Sequence, residues 1–310
     1  MAQLPSTKIV EPFGEVNVWT QTDGSLRVKA TILMTPQAEG AQTGLAIDGS
    51  LSMKSLFGGS GAVSALFAQS SPNVVEPVAR MLAAYLANFD TDGQTTVIYW
   101  ACGPGGAQVE EVGDMDAATA KSRAFSAPKH YGTGTRLLPA VKYFTETRFA
   151  GVPWAIFVFI TDGLIEDLAD VKQYSQQLAQ QIASGQSGFV KLVLIGIGHE
   201  VDEDQMEELD DLDYGGLKSP DGQAIDLWDH KLAAEMQKIE EIFAEVVSSE
   251  MILAPSADIL DGAGNPVQPI GRTSYRDGLP ALLEFIVPTG SSEFVLVLPG
   301  GPKIVQTLVP

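Results

Sequence analysis

The sequence predicts an α/β protein, a doubly wound and mostly parallel sheet inserted into a small β-sandwich formed by the two chain ends. Three observations carry this. Through the middle of the chain, apolar β-prone runs alternate with segments of helical period, the pattern of a parallel sheet covered by helices on both faces. Two of those runs end in short polar motifs: Leu45-Ala46-Ile47 leads into Asp48-Gly49-Ser50-Leu51-Ser52, and Trp154 to Ile160 leads into Thr161-Asp162-Gly163. Both ends of the chain instead carry short strands punctuated by Gly and Pro, with no helical period, as in a sandwich. The predicted division is 1–40 and 251–310 for the two parts of the sandwich and 41–250 for the inserted domain.

The elements follow in order. Glu15 to Thr20 and Leu26 to Met34 alternate around an Asp23-Gly24 turn and read as a hairpin. Gly58-Gly59-Ser60-Gly61 is a flexible loop, and Val74 to Asn88 a core-packed helix. Asp90-Thr91-Asp92-Gly93 resembles the opening of a calcium loop, but its twelfth position is Ala101 where Glu is required. It reads as a plain turn into the strand Thr95 to Ala101. Gln108 to Val112 is a short edge strand, and Arg136 to Val141 opens a helix. Asp167 to Ser184 is a helix with Leu168, Val171, Tyr174, Leu178 and Ile182 on one face. Phe189 to Ile197 is a buried strand, and Lys231 to Val247 the last helix. Met251 to Leu253, Ile259-Leu260, Leu282 to Val287, Phe294 to Leu298 and Lys303 to Leu308 supply the sandwich strands that the hairpin lacks.

Composition narrows the function. The 310 residues are 45% hydrophobic and 19% charged, a globular balance. No apolar run reaches the ~18 residues of a membrane span, and the first residues lack a signal pattern. The single Cys102 forms no internal disulfide, which fits a reducing cytoplasm. A net charge of −20, from 19 basic and 39 acidic residues, repels phosphate backbones and anionic lipid. Neither nucleic acid nor a membrane is an expected partner.

The chemistry concentrates at the strand ends. Asp48, Ser50 and Ser52 place small oxygen-bearing side chains at alternate positions just where a strand turns, so they can converge on one point. Such oxygens suit magnesium, calcium or manganese rather than zinc. The plainer alternative is a loop whose polar side chains cap backbone amides. In a doubly wound sheet, ligands sit at the carboxyl ends of strands beside the point where strand order reverses, and Asp48 and Asp162 both end strands expected there. Between the two strands lies Tyr131-Gly132-Thr133-Gly134-Thr135, four residues before Pro139-Ala140. Together, the Asp-x-Ser-x-Ser, the Gly-Thr before Pro-Ala and the Thr-Asp-Gly resemble the metal-ion-dependent adhesion site of the von Willebrand factor A family. The nearest subgroup is the bacterial tellurium-resistance type, and the resemblance runs from Leu45 to Ser248. It implies a metal set of Asp48, Ser50, Ser52, Thr135 and Asp162, with Thr135 preferred over Thr133 by its spacing to Pro139. Leu51 stands where many family members have Gly.

Other candidates carry less. Asp202 to Asp213 interleaves five Asp and three Glu with Val201, Met206, Leu209 and Leu212 and reads as an amphipathic helix with a solvated acidic face, against a second calcium or partner site. The three His are scattered without zinc spacing, and His130 could rim the Thr135 loop. No phosphate loop, dinucleotide fingerprint or nucleophile elbow is present. The expected function is therefore a cytoplasmic, metal-dependent protein-binding module rather than an enzyme. Its Mg²⁺ (or Mn²⁺ or Ca²⁺) would accept an Asp or Glu from a protein partner, as family adaptors do in larger assemblies. The alternative is a metal-dependent hydrolase or phosphatase using the same ion.

Overall fold

The structure, a computed structural model, describes residues 2–32, 41–58, 72–198, 201–220, 222, 224–233, 252–254, 256–301 and 303–308. Two compact units emerge: Met1–Ala38 with Glu240–Pro310, and Glu39–Ile239. The first unit opens with β1 (Ala2–Gln3), β2 (Phe13–Thr20) and β3 (Leu26–Ile32). Residues 33 and 34, the predicted end of the hairpin, lie outside the described residues, as do 59–61 of the predicted glycine loop.

The second unit is mixed α/β around a mostly parallel six-stranded sheet. Its strands are β4 (Ala41–Asp48), β5 (Gln94–Cys102), β6 (Gln108–Asp116), β7 (Trp154–Thr161), β8 (Phe189–Gly196) and β9 (Trp228–Leu232). The order across the sheet is β6-β5-β4-β7-β8-β9, and only β5 with β6 is antiparallel. The chain thus builds outward from β4 in one direction, then returns to add β7, β8 and β9 on the other side. The reversal lies between β4 and β7, the position at whose strand carboxyl ends sheets of this kind hold ligands.

Burial on both faces explains why β4, β7 and β8 read as continuous apolar runs. Leu45, Ala46, Ile47 and Ala155 to Ile160 are all fully buried. Helix α1 (Val75–Phe89) packs Val75, Ala79, Leu82, Ala83 and Leu86 inward and lies against β4 and β5. After it come α2 (Ala117–Ser122), α3 (Leu138–Lys142), α4 (Leu168–Ala183) and α5 (Glu203–Asp210). The last three share one core with Ala46, Trp100, Phe157, Phe159, Leu192 and Trp228. Phe144 stacks on Phe157 at 4.7 Å, and a Cβ on Gly44 would sit 2.6 Å from the Phe144 ring. Trp228 Nε1 donates to Ser175 Oγ at 2.8 Å, tying β9 to α4.

Several sequence expectations are corrected. The edge strand predicted over 108–112 runs to Asp116. Its register slips by one residue at Val112, where Gly113 takes φ +113°, a bulge that interrupts the alternation. Lys231 and Leu232, expected to open a helix, belong to β9. Its Trp-Asp-His-Lys-Leu sequence is that of a polar, half-exposed edge and carries no apolar run. The remainder of that predicted helix, 234–247, lies outside the described residues. The acidic helix spans Glu203–Asp210 rather than 202–213. Asp202 caps it by accepting from Gln205 N at 3.1 Å, and Met206 and Leu209 face inward.

The first unit resumes with β10 (Ile252–Ala254), β11 (Asp258–Asp261), β12 (Gln268–Pro269), β13 (Leu279–Pro280), β14 (Leu282–Val287), β15 (Glu293–Val297) and β16 (Lys303–Thr307). β3 pairs antiparallel with β14 from Leu26↔Val287 to Thr31↔Leu282, so the two chain ends share a five-stranded sheet, β1-β2-β3-β14-β12. A second sheet is ordered β11-β15-β16, and β10 pairs with β13. Phe294 of β15 meets Phe13 and Phe285 of the five-stranded sheet edge-on, each at 5.0 Å. β1, β12 and β13 were not foreseen; each is two residues long, and two contain Pro.

Candidate functional site

Asp48 is the last residue of β4 and is fully buried. Its Oδ1 accepts from the Ser50 amide at 2.7 Å, and its Oδ2 accepts from Thr161 Oγ1, at the end of β7, at 2.8 Å. The first bond is the amide cap of the plainer reading. The serine hydroxyls do something else. Ser50 Oγ lies 2.9 Å from Ser52 Oγ, and Ser52 Oγ donates to Asp162 Oδ1 at 2.9 Å. Four of the five expected residues therefore form one hydrogen-bonded run across the ends of β4 and β7. It rises from Asp48 and Ser50, both buried, to an exposed Ser52.

Burial pushes the Asp48 carboxyl up to about 7, and the charge of Asp162 adds to that. Hydrogen bonds from Ser50 and Thr161 pull the other way. The site therefore sets two carboxyl groups close together where water is scarce, which makes full ionisation of Asp48 unfavourable.

Thr135 is not in this hydrogen-bonded run. Its place is set by its backbone, whose carbonyl accepts from Glu166 N at 2.9 Å. The next residues follow suit: Asp167 accepts from Leu137 N at 2.8 Å and Leu138 N at 3.1 Å, capping the start of α3. The Thr133 hydroxyl is committed elsewhere, accepting from Gly105 N at 2.9 Å. Gly132 joins this loop to the first motif, with Leu51 N donating to Gly132 O and Gly132 N to Gly49 O. Only glycine fits there, because an added Cβ would lie 1.7 Å from Ala101 O.

His130 turns to Glu110, with Nδ1 3.1 Å from Oε1. The Asp90 turn closes on β4, where Asp90 accepts from Thr43 N at 2.6 Å. Leu51 adopts φ −66°, so glycine is not required at that position. Sequence reading missed Thr161 and Asp167. Thr161 stands within the quoted Thr-Asp-Gly, and a residue ending a strand beside Asp48 is the signal that could have found it.

Among the described residues, no three His, Cys, Asp or Glu side chains group to hold a metal ion. The candidate set has two carboxylates, and its other donors are hydroxyls. No helix among those residues is long and apolar enough to cross a membrane.

No family model matches the chain, and no curated protein matches it. Among solved structures it is similar to a von Willebrand factor type A protein from Catenulispora acidiphila. That match has 15% identity and a TM-score of 0.39, over 98% of this chain and 74% of the other. It is also similar to the pilus adhesin SpaC from Lactobacillus rhamnosus GG, with 11% identity and a TM-score of 0.35. That match covers 96% of this chain and 48% of the adhesin, so the chain spans about half the adhesin's length. A third is the PilB minor pilin from Streptococcus sanguinis, with 8% identity and a TM-score of 0.37, over 74% of this chain and 76% of the pilin.

Proposed function

We propose that the cluster at the ends of β4 and β7 holds a divalent cation, Mg²⁺ with Mn²⁺ or Ca²⁺ as substitutes, and offers it to a carboxylate of a partner protein. This extends the resemblance to a von Willebrand factor A domain of the tellurium-resistance type, set into a sandwich split between the chain ends. The observation that carries it is the run from Ser50 through Ser52 to Asp162 above the buried Asp48. The holders would be Asp48, Ser50, Ser52, Thr135 and Asp162. Their oxygens fit a hard cation, and the crowding of two carboxylates in a buried place is relieved by one.

Bound there, a divalent ion would retain enough positive charge to attract an incoming carboxylate. The chain's own residues fix the approach. Asp48 and Ser50 close the inner side, whereas Ser52 opens to solvent. A net charge of −20 requires the partner carboxylate to stand in a neutral or basic surface. Such a module serves as an adaptor within a larger protein assembly, and in this reading it works in the cytoplasm.

The test is capture of partners from an extract of the native cell, in Mg²⁺ and in EDTA, by the wild type and by Asp162→Ala. A phosphoester turnover screen with Mg²⁺ and Mn²⁺ runs beside it. Capture that needs both the metal and Asp162, without turnover, is the expected result. Turnover abolished by Asp162→Ala would replace the adaptor with a hydrolase.

A further inference from the structure

Among the described residues, six large apolar side chains are exposed: Val10, Leu51, Val74, Met81, Leu164 and Val305. Single exposed leucines are ordinary. Two of these six, however, stand on the two loops that carry the candidate metal cluster. Leu51, 57% exposed, lies between Ser50 and Ser52, and Leu164, 53% exposed, lies two residues past Asp162. The Ser52–Asp162 hydrogen bond joins their loops directly.

Neither backbone is loose. Leu51 N donates to Gly132 O at 3.0 Å, and Leu51 O accepts from Lys54 N at 3.2 Å. Leu164 precedes the buried Ile165, whose amide donates to Gln205 Oε1 of α5 at 2.7 Å. With the backbone already held at these points, a partner that covers the two leucines has little of it left to order. Exposed basic residues adjoin the same motifs: Lys54 two positions after Ser52, and Arg136 directly after Thr135. In a chain with twice as many acidic as basic residues, these two give a single partner carboxylate, set in an otherwise neutral or basic segment, a local attraction at this end of the sheet.

We infer that Leu51 and Leu164 form an apolar rim that selects the partner: a protein segment whose Asp or Glu is flanked, within two residues, by an aliphatic side chain. The inference rests on the metal reading above. The carboxylate supplies the metal-dependent part of binding, and the flanking side chain supplies specificity by covering the two leucines. A carboxylate alone would bind weakly and without choice.

The experiment uses the full chain and a bead-bound random peptide library, with Mn²⁺ binding measured separately by calorimetry. The wild type should enrich EDTA-elutable peptides in which Leu, Ile or Val falls within two positions of an Asp or Glu. Leu51→Ser/Leu164→Ser should keep the wild-type Mn²⁺ affinity and bind those peptides at least tenfold more weakly. Enrichment of acidic peptides with no aliphatic neighbour, or equal binding by the double variant, would overturn the rim while leaving the metal reading intact. Absence of Mn²⁺ binding by the wild type would overturn both.

Discussion

Ser52 Oγ donates to Asp162 Oδ1 at 2.9 Å across 110 residues of sequence. The bond joins the loops after β4 and β7, and beneath it Thr161 Oγ1 makes a second link to Asp48 Oδ2. Two strand ends are thus fastened at two depths, one buried and one at the surface.

The deeper link gives the first prediction. Thr161→Val keeps the shape of a fully buried side chain but removes the donor to Asp48. A buried carboxylate oxygen left without that bond should lower stability by about 1–3 kcal/mol in urea unfolding. An unchanged midpoint would mean that water or another donor serves Asp48.

A second prediction concerns the loop that carries Gly132 and Thr135. Gly132→Ala would force a Cβ to 1.7 Å from Ala101 O, so backbone must move. A loss of about 2 kcal/mol or more is expected. Gly163→Ala, beside Asp162, meets nothing within 4 Å and should stay within ~0.5 kcal/mol of wild type. Comparable thermal melts for the two variants would contradict the packing described.

The acidic helix supplies the third. Glu203, Asp204 and Glu207 are exposed, whereas Glu208 pairs with Lys172 and Asp210 with His230. Changing the first three to Gln or Asn should move stability by ~0.5 kcal/mol or less. Asp202→Ala, which removes the cap on Gln205 N, should cost about 1 kcal/mol. Loss of a calcium or partner signal in the triple variant would restore a binding role to this helix.

The fourth is a pH dependence. Asp229 lies 2.9 Å from the buried Lys191, yet burial outweighs that charge and lifts its carboxyl from 3.8 to about 6. A carboxyl raised on folding holds its proton more tightly in the folded state. Its stabilising contribution is complete below about pH 4 and is lost as pH rises through about 6. Relative to Asp229→Asn, the wild type should lose stability across that window, by no more than about 3 kcal/mol. A difference that is flat, or rises with pH, would show that Lys191 governs the group instead.

What was legible in the sequence follows burial. β4, β7 and β8 are buried on both faces, so nearly every residue is apolar and the runs announce themselves. β9 and the second half of β6 are sheet edges. Asp229 of β9 pairs with Lys191, Asp114 of β6 bonds to Thr96 and Arg148, and such polar side chains mask the period. At the site, Asp48, Ser50, Ser52 and Asp162 stand at or just past strand ends, so the hydrogen-bonded run they form is legible from the motifs. Thr161 and Asp167 were missed because their roles depend on partners 113 and about 30 residues away.

The most direct test of the account is calorimetric titration of the full chain with Mn²⁺, alongside Asp48→Asn and Asp162→Ala. Circular dichroism would establish that each variant is folded. The account predicts one saturable site in the wild type, no measurable binding in either variant, and weakened but detectable binding in Ser52→Ala, which removes a neutral donor rather than a charge. A wild type that takes up no Mn²⁺ or Mg²⁺, or folded Asp variants that bind as the wild type does, would contradict it.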